Sequence, residues 1–393
     1  MGNTTSEIKN GTLYIYLSGR IDSSNAEETE AAVNSSRTAG EHDAVIIDAE
    51  KLEYLSSAGL RIILRLRKAE PTLKIVGVSS EVYDIFEMTG FTEMLPVEKA
   101  YRRISVEGCE VIGQGANGKV YRLDPDTIIK VYFNPDSLPD IRRETSLARR
   151  AFVLGIPTAI PYDVVRVGEG YGSVFELLNA KSFAKLIAEN PGSTDHYIGL
   201  YVDLLKKIHS TEVKPEDMPD MKLVGLKWAN FVRDYIPEDK GRKLISMIEA
   251  IPERHTMLHG DYHIKNVMMQ GDEVLLIDMD TLCQGHPIFE LASVFNAYIG
   301  FSELDATVSA KFLGIDQSIS IEIWEKTVPL YLGTDDMEKI TAVREKAMLL
   351  GYIRLMRRLI RRNGYGTEQG RLEIETYRQH ILELIDKVDS LDF

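Results

Sequence analysis

Two cysteines, Cys109 and Cys283, are all that 393 residues contain, and they lie too far apart in the chain to imply a disulfide framework. A reducing cytoplasm is the natural setting for such a chain. Also missing is any apolar run long enough to span a bilayer, so no membrane helix is expected, and no signal peptide is recognisable. Positive charge is in deficit: 46 Lys and Arg face 60 Asp and Glu, a formal net charge of −14. Residues 1–103 hold 12 basic and 16 acidic side chains and the remainder 34 and 44, so both parts are acidic. That balance argues against a nucleic-acid binder and fits a cationic or neutral partner better. Internal repeats and low-complexity tracts are absent as well.

What is present has the size and composition of a soluble globular protein with two or three domains. The first hundred residues alternate strand and helix patterns. Thr12–Leu17, Ala44–Asp48 and Lys74–Val78 read as strands, and Asn25–Arg37, Ala58–Lys68 and Glu81–Met88 as helices. This predicts a small α/β domain over residues 1–103, with a linker near Leu95–Ile104. Beyond it come hairpin-like strands at Val106–Val111, Lys119–Leu123 and Thr127–Phe133, then a helix from Ile141 to Leu154. Asp163–Val167 and Gly172–Leu177 are two further strands, and the rest is mostly helical apart from a break around 259–282.

Four short motifs carry chemistry. Gly113-x-Gly115-x-x-Gly118 has a spacing shared by dinucleotide-binding turns, but those open a helix. Here Gly118 leads into Lys-Val-Tyr-Arg-Leu, a strand-like run, so the motif reads as a glycine-rich hairpin. Such a hairpin lays backbone amides over nucleotide phosphates with no side chain between. Lys130, in Ile-Ile-Lys-Val-Tyr, is a charge turned inward from a strand and needs a partner. Glu144 on the following helix is that candidate, and the pair would hold the α/β-phosphates.

The third and fourth motifs are His259-Gly-Asp261-Tyr-His-Ile-Lys-Asn266 and Ile277-Asp278-Met-Asp280. An Asp with an Asn five residues on, then an Asp after an apolar strand, has the spacing of a kinase base and two metal ligands. Asp261 would orient the attacking hydroxyl and accept its proton. Asn266 and Asp278 would hold Mg²⁺ ions bridging phosphate oxygens, with Asp280 assisting at the metal or fixing the loop. A rival reading takes His259, Asp261 and His263 as zinc ligands, but the oxygen donors suit Mg²⁺ better. The expectation for both histidines is structural, with ring nitrogens bridging backbone groups. The order of four motifs within about 170 residues carries the case.

On these residues, 104–393 resemble the aminoglycoside phosphotransferase and choline kinase branch of the protein-kinase-like superfamily. Leu204-Leu-Lys-Lys-Ile-His209 and Gly285-His-Pro-Ile-Phe-Glu290-Leu-Ala add to the likeness. The resemblance implies an α+β bilobal fold, with an N-lobe over about 104–178, a C-lobe over 179–393, and ATP and Mg²⁺ in the cleft. It also implies a hinge at Phe175-Glu176-Leu177-Leu178, with Glu176 and Leu178 facing the adenine. Gly260 stands where protein kinases usually have Arg, and Met279-Asp280 replaces Phe-Gly. Those departures favour a small-molecule hydroxyl as acceptor.

The first segment resembles STAS domains, the anti-sigma-factor-antagonist family. The likeness runs through Leu17-Ser-Gly-Arg-Ile-Asp22, Leu52-Glu-Tyr-Leu-Ser-Ser57-Ala-Gly-Leu60 and Phe86-Glu-Met-Thr-Gly-Phe91. It implies a regulatory or partner-binding domain and places Ser57 at the family's phosphoacceptor position, although Ser56 replaces the usual preceding Asp. Capping of the next helix by Ser56 or Ser57 explains the same hydroxyls. Three functions follow: an ATP- and Mg²⁺-dependent small-molecule phosphotransferase, a protein Ser/Thr kinase acting on a STAS serine in cis or on a partner, or a nucleotide-sensing module without turnover. Arg354, Arg357, Arg358, Arg361 and Arg362 share one helical face. A solvated, ion-paired face is expected there, the alternative being a dock for the acidic first domain or an anionic ligand.

Overall fold

The pair Asn10-Gly11, with φ of 50° and 75°, turns the chain between β1 (Asn3–Lys9) and β2 (Thr12–Ile21). Asn-Gly is the strongest short hairpin signal, yet β1 was not among the expected strands. The computed structural model describes residues 3–115 and 117–393. In it the chain divides into two units, Met1–Ser105 and Val106–Phe393.

In the first unit the chain continues through α1 (Ala26–Thr38), β3 (Ala44–Leu55), α2 (Ser57–Ala69), β4 (Lys74–Val78), α3 (Ser80–Met88), α4 (Phe91–Met94) and β5 (Val97–Lys99). The five strands form one sheet in sequence order, with only β1 antiparallel to its neighbour. Leu13, Ile15, Val45, Ile47 and Ile75 project from the strands into a core completed by Ile62, Ile63 and Phe86 from α2 and α3. The expected linker is corrected here. Val97 pairs with Ile75, so the start of that segment is the last strand of the sheet.

The second unit opens with a five-stranded antiparallel sheet, in the order β6 (Val111–Gln114), β7 (Gly118–Arg122), β8 (Thr127–Tyr132), β10 (Gly170–Glu176), β9 (Pro161–Val167). The strand expected at Val106–Val111 is instead a turn. Cys109 N–H bonds the Val106 carbonyl and Gly108 sits at φ 78°, so extended pairing begins only at Val111. Between β8 and β9 runs α5 (Leu138–Val153), which buries Ile141, Glu144, Leu147 and Ala148.

The remainder is a helical lobe: β11 (Lys181–Ser182), α6 (Phe183–Glu189), α7 (Thr194–His209), α8 (Met221–Val232), α9 (Glu238–Glu249), β12 (Met257–Leu258), β13 (Val267–Gln270), β14 (Glu273–Leu276), β15 (Cys283–Gln284), α10 (Ile288–Phe295), α11 (Thr307–Leu313), α12 (Gln317–Leu332), α13 (Met337–Arg361) and α14 (Glu368–Lys387). All eight residues of α10 are buried, which makes it the central helix of the lobe core. Tyr201, Tyr262 and Tyr298 pack around the loop before β13, and their hydroxyls bond backbone there: Tyr262 Oη to the Tyr201 carbonyl at 2.7 Å, Ile264 N–H to Tyr298 Oη at 3.0 Å. Among the described residues no helix is long and apolar enough to cross a membrane.

Candidate active site

Lys130 lies on β8 with its side chain largely buried, a position that costs free energy unless the ammonium is compensated. Glu144 on α5 compensates it. Its carboxylate, 5% exposed, accepts from Nζ at 2.8 Å and 3.1 Å and also from the Tyr132 hydroxyl. The same Nζ reaches Asp278 Oδ1 at 3.3 Å. Burial pulls the Lys130 pKa down, but Glu144, Asp278 and Asp280 outweigh it and leave it raised. The ammonium is fixed in place and charged.

The glycine motif forms the β6–β7 hairpin, closed by Gly115 N–H on the Gly118 carbonyl at 3.0 Å; Ala116 lies outside the described residues. A Cβ on Gly118 would come within 2.3 Å of the Val131 carbonyl oxygen, so this glycine lets β7 approach β8. A Cβ at Gly115 would meet nothing within 4 Å, and one at Gly113 would only touch the Val120 side chain at 3.8 Å. The Gly115 position is open to solvent on the side where a side chain would stand.

The loop between β12 and β13 carries Asp261 and Asn266, and it is tied down throughout. His259 donates from Nε2 to the Ile277 carbonyl (3.1 Å) and accepts Asp261 N–H at Nδ1 (3.3 Å). Asn266 Nδ2 donates to the Asp261 carbonyl at 3.0 Å, leaving Oδ1 without a protein partner among the described residues. Thr281 Oγ1 donates to the His259 carbonyl at 2.7 Å. Gly260 adopts φ 81°, and a Cβ there would lie 2.5 Å from the Thr281 carbonyl oxygen. Neither Arg nor any other side chain fits this backbone without displacing the loop after β14.

The Asp261 carboxylate stays 40% exposed, with His263 Nε2 3.5 Å from Oδ2. Burial pushes its pKa up, but His263, His259 and Arg354 outweigh burial, so it lies below the ordinary carboxylate range. Asp278 occupies the left-handed region at φ 65°, uncommon for a residue with a side chain, and its carboxylate is 43% exposed. Asp280 behaves differently. Burial, then the charges of Asp278 and Glu144, raise its pKa to about 7. The cluster holds more negative charge than Lys130 balances.

Leu177–Ala180 connect the two lobes as irregular chain. Glu176 N–H bonds the Ile160 carbonyl and Leu177 N–H the Asp126 carbonyl, while Leu178 N–H has no partner among the described residues.

A model of the phosphotransferase enzyme family matches residues 108–318, more than half of the chain. The chain belongs to that family. A second model matches residues 3–104 as a STAS domain, so this phosphotransferase family member carries a STAS domain ahead of its bilobal fold. Over 91 residues the STAS segment is 36% identical to the "Putative anti-sigma factor antagonist BtrV" of Bordetella bronchiseptica, covering 22% of this chain and 78% of that one. A solved aminoglycoside phosphotransferase, a thermostable mutant of APH(4)-Ia in apo form, superposes with a TM-score of 0.50 at 10% identity. The match covers 72% of this chain and 97% of that one, a likeness of fold. A choline/ethanolamine kinase family protein from Mesorhizobium loti gives 0.45 at 15% identity, over 71% and 88%.

Both ring nitrogens of His259 bond backbone groups, as expected, which leaves neither for the rival zinc reading; two other expectations change on this phosphotransferase fold. His263 does not bridge backbone; it faces Asp261, and its Nδ1 is buried without a partner among the described residues. The arginine face of α13 is not ion-paired: among the described residues none of Arg354, Arg357, Arg358, Arg361 or Arg362 has a carboxylate within 4.0 Å.

In the STAS domain, Ser56 is the cap of α2. Its Oγ accepts Ala58 N–H at 3.2 Å and Gly59 N–H at 3.5 Å. Ser57 is the first helical residue, and its exposed hydroxyl makes no hydrogen bond among the described residues.

Sequence reasoning placed Glu290 in a segment of the family likeness but gave this buried charge no role. It lies on α10, and its carboxylate accepts the backbone N–H groups of His259 and Gly260, the latter at 3.0 Å and 3.2 Å, with His209 Nε2 3.9 Å away. Burial alone would raise its pKa, but His209, His259 and the Gly260 amide reverse that and hold it ionised. The available signal was an acid inside the otherwise apolar run Ile-Phe-Glu-Leu-Ala.

Proposed function

We propose that residues 104–393 transfer the γ-phosphoryl group of ATP to a hydroxyl of a small molecule, with Mg²⁺ as cofactor, in the cytoplasm. The lobes divide near residue 178, and the STAS domain, residues 1–103, serves regulation or partner binding. The observation that carries the reading is Lys130, held by Glu144 and 3.3 Å from Asp278, with Asp261 near enough for its charge to act on Asp280.

Each residue has a task on this reading. Lys130 pairs with the phosphates, and the amides of the Gly113–Gly118 hairpin lie over them. Leu178 N–H and the Glu176 end of β10 meet the adenine, which supplies the bond that the free amide lacks. Asp261, ionised and partly exposed, orients the acceptor hydroxyl and takes its proton. The Mg²⁺ donors fit by chemistry: the free amide oxygen of Asn266, the Asp278 carboxylate, and Asp280, whose pKa is raised by burial and then by the charges of Asp278 and Glu144. No group of three or more His, Cys, Asp or Glu forms a metal cage by itself among the described residues. Mg²⁺ is commonly held by one or two carboxylates together with substrate phosphates, where it neutralises charge developing on their oxygens.

A second reading rests on Ser57. An uncapped, exposed hydroxyl at a helix N-terminus suits a phosphate dianion, stabilised there by the helix dipole. On this reading the kinase acts on a STAS serine, in cis or on a partner. One experiment separates the two. The full chain is incubated with labelled ATP and Mg²⁺, with and without a deproteinised metabolite pool, alongside Asp261→Asn and Ser57→Ala. Label in a small molecule, lost only in Asp261→Asn, supports the first reading. Label on protein, lost in both variants, supports the second, and nucleotide binding without transfer refutes both.

A further inference from the structure

The arginines of α13 repel one another, and among the described residues none of them forms an ion pair. Arg354–Arg358, Arg357–Arg361 and Arg358–Arg362 are like-charge pairs four residues apart, an arrangement that destabilises a helix. In a chain of net charge −14, carboxylates to relieve it would be easy to supply, yet none lies within 4.0 Å among the described residues.

Instead the guanidinium groups are held by aromatic faces. Arg354 lies over Trp228 at 5.5 Å, Arg357 over Phe231 at 5.9 Å and Arg358 over Phe301 at 4.8 Å. An aromatic face orients a guanidinium while leaving its N–H groups to other acceptors. Arg357, Arg358, Arg361 and Arg362 donate no side-chain hydrogen bond among the described residues. Burial, then Arg362 and Arg354, pull the Arg358 pKa down, while Asp261 acts in the opposite sense.

The location gives the cluster its meaning. Arg354 Nη1 donates to Ser293 Oγ at 3.0 Å and lies 3.4 Å from the carbonyl of Gly260, the residue before Asp261. The arginine face therefore begins at the loop that carries the proposed base. Lys130 and the glycine hairpin, on the other lobe, already serve the nucleotide phosphates, so the α13 arginines are left for the second substrate.

We infer that the phosphoryl acceptor is an anionic hydroxyl compound, bearing a phosphate or carboxylate that Arg357 and Arg358 bind while its hydroxyl faces Asp261. This rests on the phosphotransferase reading above and narrows it. It also reverses the expectation from net charge, because a polycationic acceptor would meet like charge at the point of transfer. In the step, the acceptor oxygen forms a bond to the γ-phosphorus, the bond from that phosphorus to the β,γ-bridging oxygen breaks, ADP leaves with that electron pair, and the hydroxyl proton passes to Asp261.

The test uses the full chain with γ-labelled ATP and Mg²⁺. Three pools of deproteinised cell extract are supplied separately: retained by an anion exchanger, retained by a cation exchanger, and retained by neither. The expected result is label in a compound of the first pool. Arg357→Glu and Arg358→Glu should raise the KM for that compound about tenfold or more, with the KM for ATP changed less than twofold. Arg357→Lys, which keeps the charge, should lie between wild type and Arg357→Glu. Circular dichroism of each variant shows that it is folded. Label only in the cation-exchange or unretained pool, label only on the protein, or unchanged acceptor KM in both reversals overturns the inference while leaving phosphoryl transfer intact. ATP binding with no transfer to any pool refutes the phosphotransferase reading itself, and this inference with it.

Discussion

Glu290 Oε1 accepts the backbone N–H of Gly260 at 3.0 Å, so the residue before the proposed base hangs from a carboxylate fully buried in the helical lobe. Replacement by Gln keeps the volume but sets an NH₂ group against one of the two backbone donors. A donor left unsatisfied in a buried site costs about 1–3 kcal/mol. Glu290→Gln should therefore lower the thermal midpoint and reduce kcat with little change in the KM for ATP. Unchanged kcat and midpoint would show that the loop holds its shape without this carboxylate.

Gly260→Ala tests the same loop from the other side. The left-handed backbone costs a side chain about 1–2 kcal/mol, and the Cβ also meets the Thr281 carbonyl. Moving Asp261 by a fraction of an ångström is expected to lower kcat by at least about tenfold, since productive geometry is that demanding. Steady-state kinetics at saturating ATP reads it, and a fully active Gly260→Ala would refute the steric account.

The two serines that open α2 should respond differently. Ser56→Ala removes the cap and costs about 1 kcal/mol. Ser57→Ala touches no hydrogen bond and should stay within about 0.5 kcal/mol of wild type. Hydrogen exchange of the α2 amides in the full chain measures both. Equal losses of protection would mean that the capping role is shared.

Acid sensitivity has an identifiable contributor. His286, just before α10, accepts Ile288 N–H at Nδ1 (3.2 Å), and its Nε2 lies 3.1 Å from Asp392 Oδ1. A proton on Nδ1 would break the first bond, and burial and Arg254 depress the pKa to about 4. Between pH 4 and 6.5 the unfolded chain binds a proton that the folded chain refuses. Stability is therefore fully present above pH 6.5 and falls as the pH drops toward 4, by up to about 3 kcal/mol. Urea unfolding across this range should show the slope, and His286→Gln should flatten it. A slope identical in the variant would assign the acid loss to other groups.

The proposed catalytic residues were legible in the sequence because their chemistry depends on residue type and spacing within short motifs. Asp261, Asn266, Asp278 and Lys130 could all be named that way. Their support was not, because it comes from across the fold. Glu290 is 29 residues from Asp261 in sequence, and Tyr132, which bonds Glu144, sits in an ordinary strand pattern. The α13 spacing placed five arginines on one face but could not say what lies opposite. Carboxylates were expected there, and Trp228, Phe231 and Phe301 are found instead. At the start of the chain Asn10-Gly11 is a hairpin signal, but the β1 residues before it are mostly polar and lack an alternating pattern, in keeping with the largely exposed strand from Thr4 to Lys9.

Lys130 belongs to one lobe through Glu144, with two bonds of 2.8 Å and 3.1 Å, and touches the other through Asp278 at 3.3 Å. Its attachments are thus unequal, and the weaker one crosses the cleft. Any parting of the lobes must break the Asp278 contact while the Glu144 pair survives. A single ammonium therefore works as a gauge of cleft width, and its ¹⁵N resonance would distinguish a closed enzyme from an open one.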